Sequence, residues 1–151
     1  MSNRTFLKIL EEIGWPNVYL VDHKQFEKVA GVPIKGAFGM SSEHHPIITL
    51  AKGLRGKQLA NTIYHEIAHQ LFPHRPHWWI ECVAERMARG GGRGYWSIKY
   101  EHTVDEVPAR SECLRLFRRA AQRFNDKNIS NTSGNLSGRV PQMLRNEGIG
   151  L

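Results

Sequence analysis

Hydrophobic positions along this chain fall into short periodic runs. From Asn3 to Ile13, the residues Phe6, Leu7, Leu10 and Ile13 recur at helical spacing. Gly14 can end that helix, and Pro16 blocks its continuation. Val18-Tyr19-Leu20-Val21 is rich in β-branched and aromatic residues and predicts a strand. Asp22 can cap a short helix to Ala30, closed by Gly31. Val32 to Met40 has no firm period: Gly36 and Gly39 bracket Ala37-Phe38 as either a hairpin turn or the start of a strand. Ile47-Ile48-Thr49-Leu50 predicts a clear strand, which continues to Ala51.

A longer helical pattern runs from Gly56 to Phe72. At ~100° per residue, with His65 at zero, Leu59, Ile63, Ile67 and Leu71 fall between ~120° and ~240°. His69 falls near ~40° and Glu66 near ~100°. One face is therefore apolar, and the opposite face carries His65, Glu66 and His69. Pro73 and Pro76 force a turn. A second helix is predicted from His77 to Arg89, with Ile80, Val83, Ala84 and Met87 inside. Gly90 to Gly94 stops it and reads as a connector or flap, because it lacks the strand that leads into a phosphate loop. Tyr95 to Val104 alternates loosely and predicts a strand. Pro108 opens a last helix to about Asn125, with Leu114, Phe117, Ala121 and Phe124 on its inner face.

These elements predict an α+β fold, a short and mostly antiparallel sheet packed on the helix that carries His65 and His69. Residues 1–126 form one domain, and 127–151 form a tail rich in Asn, Ser and Gly. No internal repeat is present. At 151 residues and 40% hydrophobic, the composition is that of a globular domain with one modest core. No stretch approaches the length of a membrane span, and the N-terminus lacks the apolar run of a secretory signal. Cys82 and Cys113 sit in apolar helical patterns and are expected as buried free thiols. Together these point to a cytoplasmic protein without a membrane partner.

The net charge is +7. Such an excess favours acidic partners and keeps nucleic acid among them, through Arg110, Arg115, Arg118, Arg119 and Arg123 on the outside of the last helix. A solvated basic face accounts for the same pattern more simply.

The chemistry concentrates in His65-Glu66-Ile67-Ala68-His69. Two histidines four apart lie one turn apart on one helix face, so their ring nitrogens can converge on one metal ion. Glu66 points beside that pair, where it reaches a metal-activated water as a general base. That layout suits a zinc hydrolase. A catalytic zinc takes three protein ligands and leaves one position open. The third can come from His74, His77, Glu81, Glu85 or His102. Glu43-His44-His45 could suggest a second metal site, but adjacent loop histidines are ordinarily solvated.

Trp79-Ile80-Glu81-Cys82-Val83-Ala84-Glu85 resembles the third-ligand helix of the gluzincin metallopeptidases, which pair His-Glu-x-x-His with a glutamate on a second helix. The resemblance covers Ile47 to Ala88. It implies a minimal zincin-like domain binding one zinc per chain, with His65, His69 and Glu81 as ligands. It also implies that Glu85 orients His65 from behind. The stretch between His69 and Glu81 is shorter than is usual in that group. His77 is the competing ligand. A third histidine would instead resemble the small DNA-dependent metalloproteases of the SprT type.

The activity implied is hydrolysis of peptide bonds in a peptide or protein substrate. Glu66 takes a proton from the attacking water and passes it to the leaving amine. Tyr95, Tyr100 and His102 are candidate donors to the oxyanion. The strand Ile47 to Ala51 would hold an extended substrate along its open edge. The alternative from another class is a non-catalytic zinc-binding protein that docks on an assembly or on nucleic acid. The intact Glu66 favours the enzyme.

Overall fold

The computed structural model describes residues 3–15, 18–34, 36–42, 45–90 and 94–130. Among them the chain forms α1 (Asn3–Ile13), β1 (Tyr19–Val21), α2 (His23–Ala30), β2 (Gly39–Ser41) and β3 (Ile47–Leu50). Then follow α3 (Gly56–Leu71), α4 (His77–Arg89), α5 (Tyr95–Lys99), a single 3-10 turn (Val104–Glu106) and α6 (Arg110–Ser130). The fold is α+β. The expected tail lies outside the described residues from 131 onward. No helix among the described residues is long and apolar enough to cross a membrane.

The sheet order is β1-β3-β2. β3 pairs in parallel with β1 (Leu20 opposite Ile48) and antiparallel with β2 (Met40 opposite Thr49). The sheet is therefore mixed, not mostly antiparallel. β3 is also central, so the open edge expected along Ile47 to Ala51 is closed on both sides. The free edge next to α3 belongs to β2, the segment whose sequence pattern is ambiguous.

All four residues of β3 are buried. Their side chains alternate between two cores, as a strand's period of two requires. Ile48 and Leu50 join Leu20 in the main core with α1, α3, α4 and α6, whereas Ile47 joins Val21 and Phe26 in a smaller one. The helix that closes the smaller core starts as its sequence suggests. Asp22 accepts the Gln25 amide at 2.7 Å, and Gly31 ends the helix at φ +75°.

α3 runs through the middle of the molecule. Its inner face (Leu59, Ile63, Ile67, Leu71) is buried against α1, α4 and α6. Phe117 of α6 is fully buried and packs edge-on against Tyr64 and Phe72, at centroid distances of 6.1 and 5.3 Å. The five residues after α3, bounded by Pro73 and Pro76, fold α4 back along it as a helical hairpin. Cys82 and Cys113 are free and buried, and burial pushes both thiols up to about 11.

The Tyr95–Val104 segment is not a strand. It forms the one-turn helix α5, and the reason is tertiary. The Glu85 carboxylate of α4 accepts the amides of Trp96 and Ser97 (both 2.9 Å) and the Ser97 hydroxyl (2.6 Å). These are the donors that a helix leaves unpaired in its first turn. Gly94 lets the backbone pass, because a Cβ there would collide with that carboxylate.

Candidate metal centre

Three imidazoles meet where α3 and α4 pack. The ring centroids of His65, His69 and His77 form a near-equilateral triangle, with sides of 4.6, 5.0 and 5.1 Å. His65 Nε2 and His69 Nε2 lie 3.0 Å apart. One nitrogen from each of the three rings lies within 4.8 Å of the others. The helical period sets the first pair, and the proline turn sets the third, since His77 is the first residue of α4.

Zinc–imidazole bonds of ~2.0–2.1 Å at tetrahedral angles place nitrogens roughly 3.3 Å apart. The His65–His69 pair is within a few tenths of an ångström of that spacing, and the His77 nitrogen, within 4.8 Å of both, would close on the ion by at most about 1.5 Å. The donor set also has the right protonation. Burial, aided by the neighbouring rings, holds His65 down to about 3 and lowers His69 as well. Near neutral pH both rings are uncharged and offer a lone pair to a cation. The residues present therefore fit a zinc ion.

Glu66 lies on the adjoining face of α3 and is 7% exposed. Burial raises its carboxyl to about 7, against the opposing effect of a hydrogen bond with Ser41. Its surroundings come from β2. A Cβ on Gly39 would stand 2.8 Å from Thr62 Cγ2 and 3.1 Å from Glu66 Cγ, so only glycine lets this strand lie directly over α3. Gln70, one residue after His69, ties the other side. Its Nε2 faces the carbonyl oxygens of Ser42, His45 and Ile47 at 3.0–3.1 Å. Gly39, Ser41 and Gln70 were not singled out from the sequence. The nearest signal was a glycine in a segment without periodicity.

The expected glutamates take other places. Glu81 is buried, but its Oε1 accepts the Tyr100 hydroxyl at 2.7 Å, and its Oε2 lies 3.7 Å from His77 Nε2. It lies beside His77, and its oxygens are not among the group of three converging nitrogens. Glu85 does not support His65, because both its oxygens are committed to α5. Of the candidate oxyanion donors, Tyr95 lines the cleft beside the histidines, Tyr100 is held by Glu81, and His102 is exposed in the turn after α5. His74 is exposed in the proline turn and outside the cluster. Of the Glu43-His44-His45 stretch, residues 43 and 44 lie outside the described residues, and His45 lines the cleft.

The cleft measures about 1480 Å³. Its floor is the α3 stripe from Lys57 through Asn61, His65 and Glu66 to His69, and its walls come from the β2 segment and from α4–α5. The stripe is roughly 18 Å long at ~1.5 Å per residue. That is room for about five residues of an extended chain.

The basic face of α6 is partly consumed by the fold. Arg110 pairs with Glu12 at 3.0 Å, Arg118 donates to the Glu12 carbonyl at 2.9 Å, and Arg115 pairs with Glu112 at 3.4 Å. Comparison with known protein families, with curated proteins and with solved structures finds no match for this chain.

Proposed function

We propose that the protein is a zinc-dependent metallopeptidase with a minimal zincin-like domain, its metal held by His65, His69 and His77. The observation that carries this reading is the convergence of three imidazole nitrogens beside the buried carboxyl of Glu66, on the floor of a cleft long enough for a peptide. A third histidine in place of Glu81 makes the donor set more like the SprT type than the gluzincins.

When bound, zinc supplies Lewis acidity that makes a water nucleophilic near neutral pH. Glu66 takes that water's proton. Burial strengthens this carboxylate as a base, and it then returns the proton to the leaving amine. Ser41 fixes the carboxylate's direction. The free edge of β2 pairs with the extended substrate, in the role first expected of β3. Tyr95, exposed on the opposite wall, is the donor best situated for the oxyanion.

The competing reading is a structural zinc site without activity. It draws on Glu81 as a fourth ligand, since its Oε2 is 3.7 Å from His77. A broad mixture of peptides, followed by mass spectrometry, separates the two. The zinc-loaded parent should cleave, and Glu66→Gln should bind zinc equally but lose roughly 10²–10⁴-fold in rate. Zinc binding by both proteins with cleavage by neither would favour the structural site.

A further inference from the structure

The charges lining the cleft are unbalanced. Lys57 and Arg89 are exposed and line it, and Arg123 adds a third cation. Among the described residues, the carboxylates in the lining are those of Glu66 and Glu85. Glu85 is 4% exposed and spends both oxygens on α5, and Glu66 is buried beneath β2. Among the described residues, no carboxylate in the lining is therefore both exposed and uncommitted. A bound zinc would add further positive charge. A cleft lined by one sign of charge concentrates ligands of the other.

The antiparallel run of α3 and α4 carries two of these cations toward the same end of the cleft. Lys57 precedes His65 by two helical turns on the same stripe, about 12 Å along the axis. α4 folds back along α3, so Arg89 at its last residue comes to that same end. A chain at ~3.3 Å per residue covers the distance in three or four residues. The rims add apolar contact, since Phe38 and Tyr95 are 61% and 65% exposed on opposite sides.

We infer that the cleft selects an acidic peptide segment, with an Asp or Glu side chain three or four residues from the bond at the metal, held between Lys57 and Arg89. This rests on the peptidase reading for the scissile bond but not for the binding. The test is fluorescence anisotropy of the zinc-loaded Glu66→Gln protein with labelled peptides of equal length, identical except for acidic, neutral or basic flanks.

The acidic peptide should bind about tenfold more tightly than the neutral one at low salt, and the gap should close as salt is added. A Lys57→Glu/Arg89→Glu double variant should reverse the preference. Because Arg89 packs near Glu85 and Gly94, the fold of the double variant is checked by circular dichroism, and Lys57→Glu alone should already weaken the acidic preference. Equal affinity for all three peptides, or an unchanged preference in the double variant, overturns the inference. So does an oligonucleotide that displaces the acidic peptide at lower concentration, which would assign the cleft to nucleic acid. Acidic preference in binding without cleavage by the parent would leave this inference standing and remove the peptidase. Cleavage without acidic preference would do the reverse.

Discussion

Tyr64 and His65 are neighbours on α3, yet they belong to two polar clusters of opposite character. Tyr64 points inward to a closed one. Its hydroxyl donates to Glu12 Oε1 at 2.7 Å, and Arg110 holds Glu12 Oε2 at 3.0 Å. The Tyr64 hydroxyl and the Arg110 guanidinium both meet the Glu12 carboxylate, and the ion pair is neutral overall. Burial pushes the Glu12 carboxyl up, but the hydrogen bonds from Tyr64 and Arg110 outweigh it and hold the group below its usual range. His65 points to an open cluster: three imidazoles face one another, and burial disfavours the protonated forms of His65 and His69. A closed cluster stabilises a fold. An open one is held in place by the rest of the fold and leaves lone pairs that a cation could take. Glu85 and α5 form a second closed set beside the open one.

Substitutions should divide along that line, and the largest effect on stability is expected at Glu85. Glu85→Ala leaves two amides and a hydroxyl of α5 without acceptors, at a cost of about 2–4 kcal/mol. Urea unfolding should show this loss, and near-ultraviolet circular dichroism should show Trp96 released. Zinc affinity should change little, whereas a role in orienting His65 would weaken it 10–100-fold.

Arg110→Ala comes next, at about 1–2 kcal/mol, because it strips a charged hydrogen bond from Glu12. Its effect has a pH signature. Since the folded carboxyl of Glu12 lies below its ordinary value of 4.5, its contribution is fully present above that pH. It is lost as pH falls through the lower folded value. The stability gap between the parent and Glu12→Gln should therefore be constant near neutrality and narrow below about pH 4.5. A gap that widens on acidification would show that Glu12 is not held as a paired carboxylate.

The smallest effect belongs to the open cluster. With metal stripped by chelator, His69→Ala should alter unfolding by no more than about 0.5 kcal/mol, since it removes no closed interaction. A loss of several kcal/mol would mean that the histidines are a structural network.

Much of this was legible in the residues. α3 and α4 announced themselves through periodicity and the proline turn, and the His65–Glu66–His69 layout follows from the helical period alone. What escaped notice depends on distant partners. Tyr95 to Val104 alternates enough to suggest a strand, but its first part, Tyr95–Lys99, becomes a helix because Glu85 supplies acceptors for its first turn. β2 hid in an aperiodic segment, since Gly39 is required by close approach to Thr62 and Glu66 and not by any local turn. The short spacing between His69 and α4 decides the third imidazole. Glu81 had the better family resemblance, but its side chain turns to Tyr100, which no local pattern reveals.

The central claim is that the metal is held by three histidines. A chromophoric chelator titrated against the parent, His77→Ala and Glu81→Ala in one buffer tests it most directly. The parent should hold one equivalent of zinc. His77→Ala should lose affinity by well over 100-fold, beyond the 10–100-fold expected for a residue that only supports a ligand. Glu81→Ala should stay within that lesser range. A parent that takes up no zinc, or a Glu81→Ala protein that loses the metal while His77→Ala keeps it, would contradict the account.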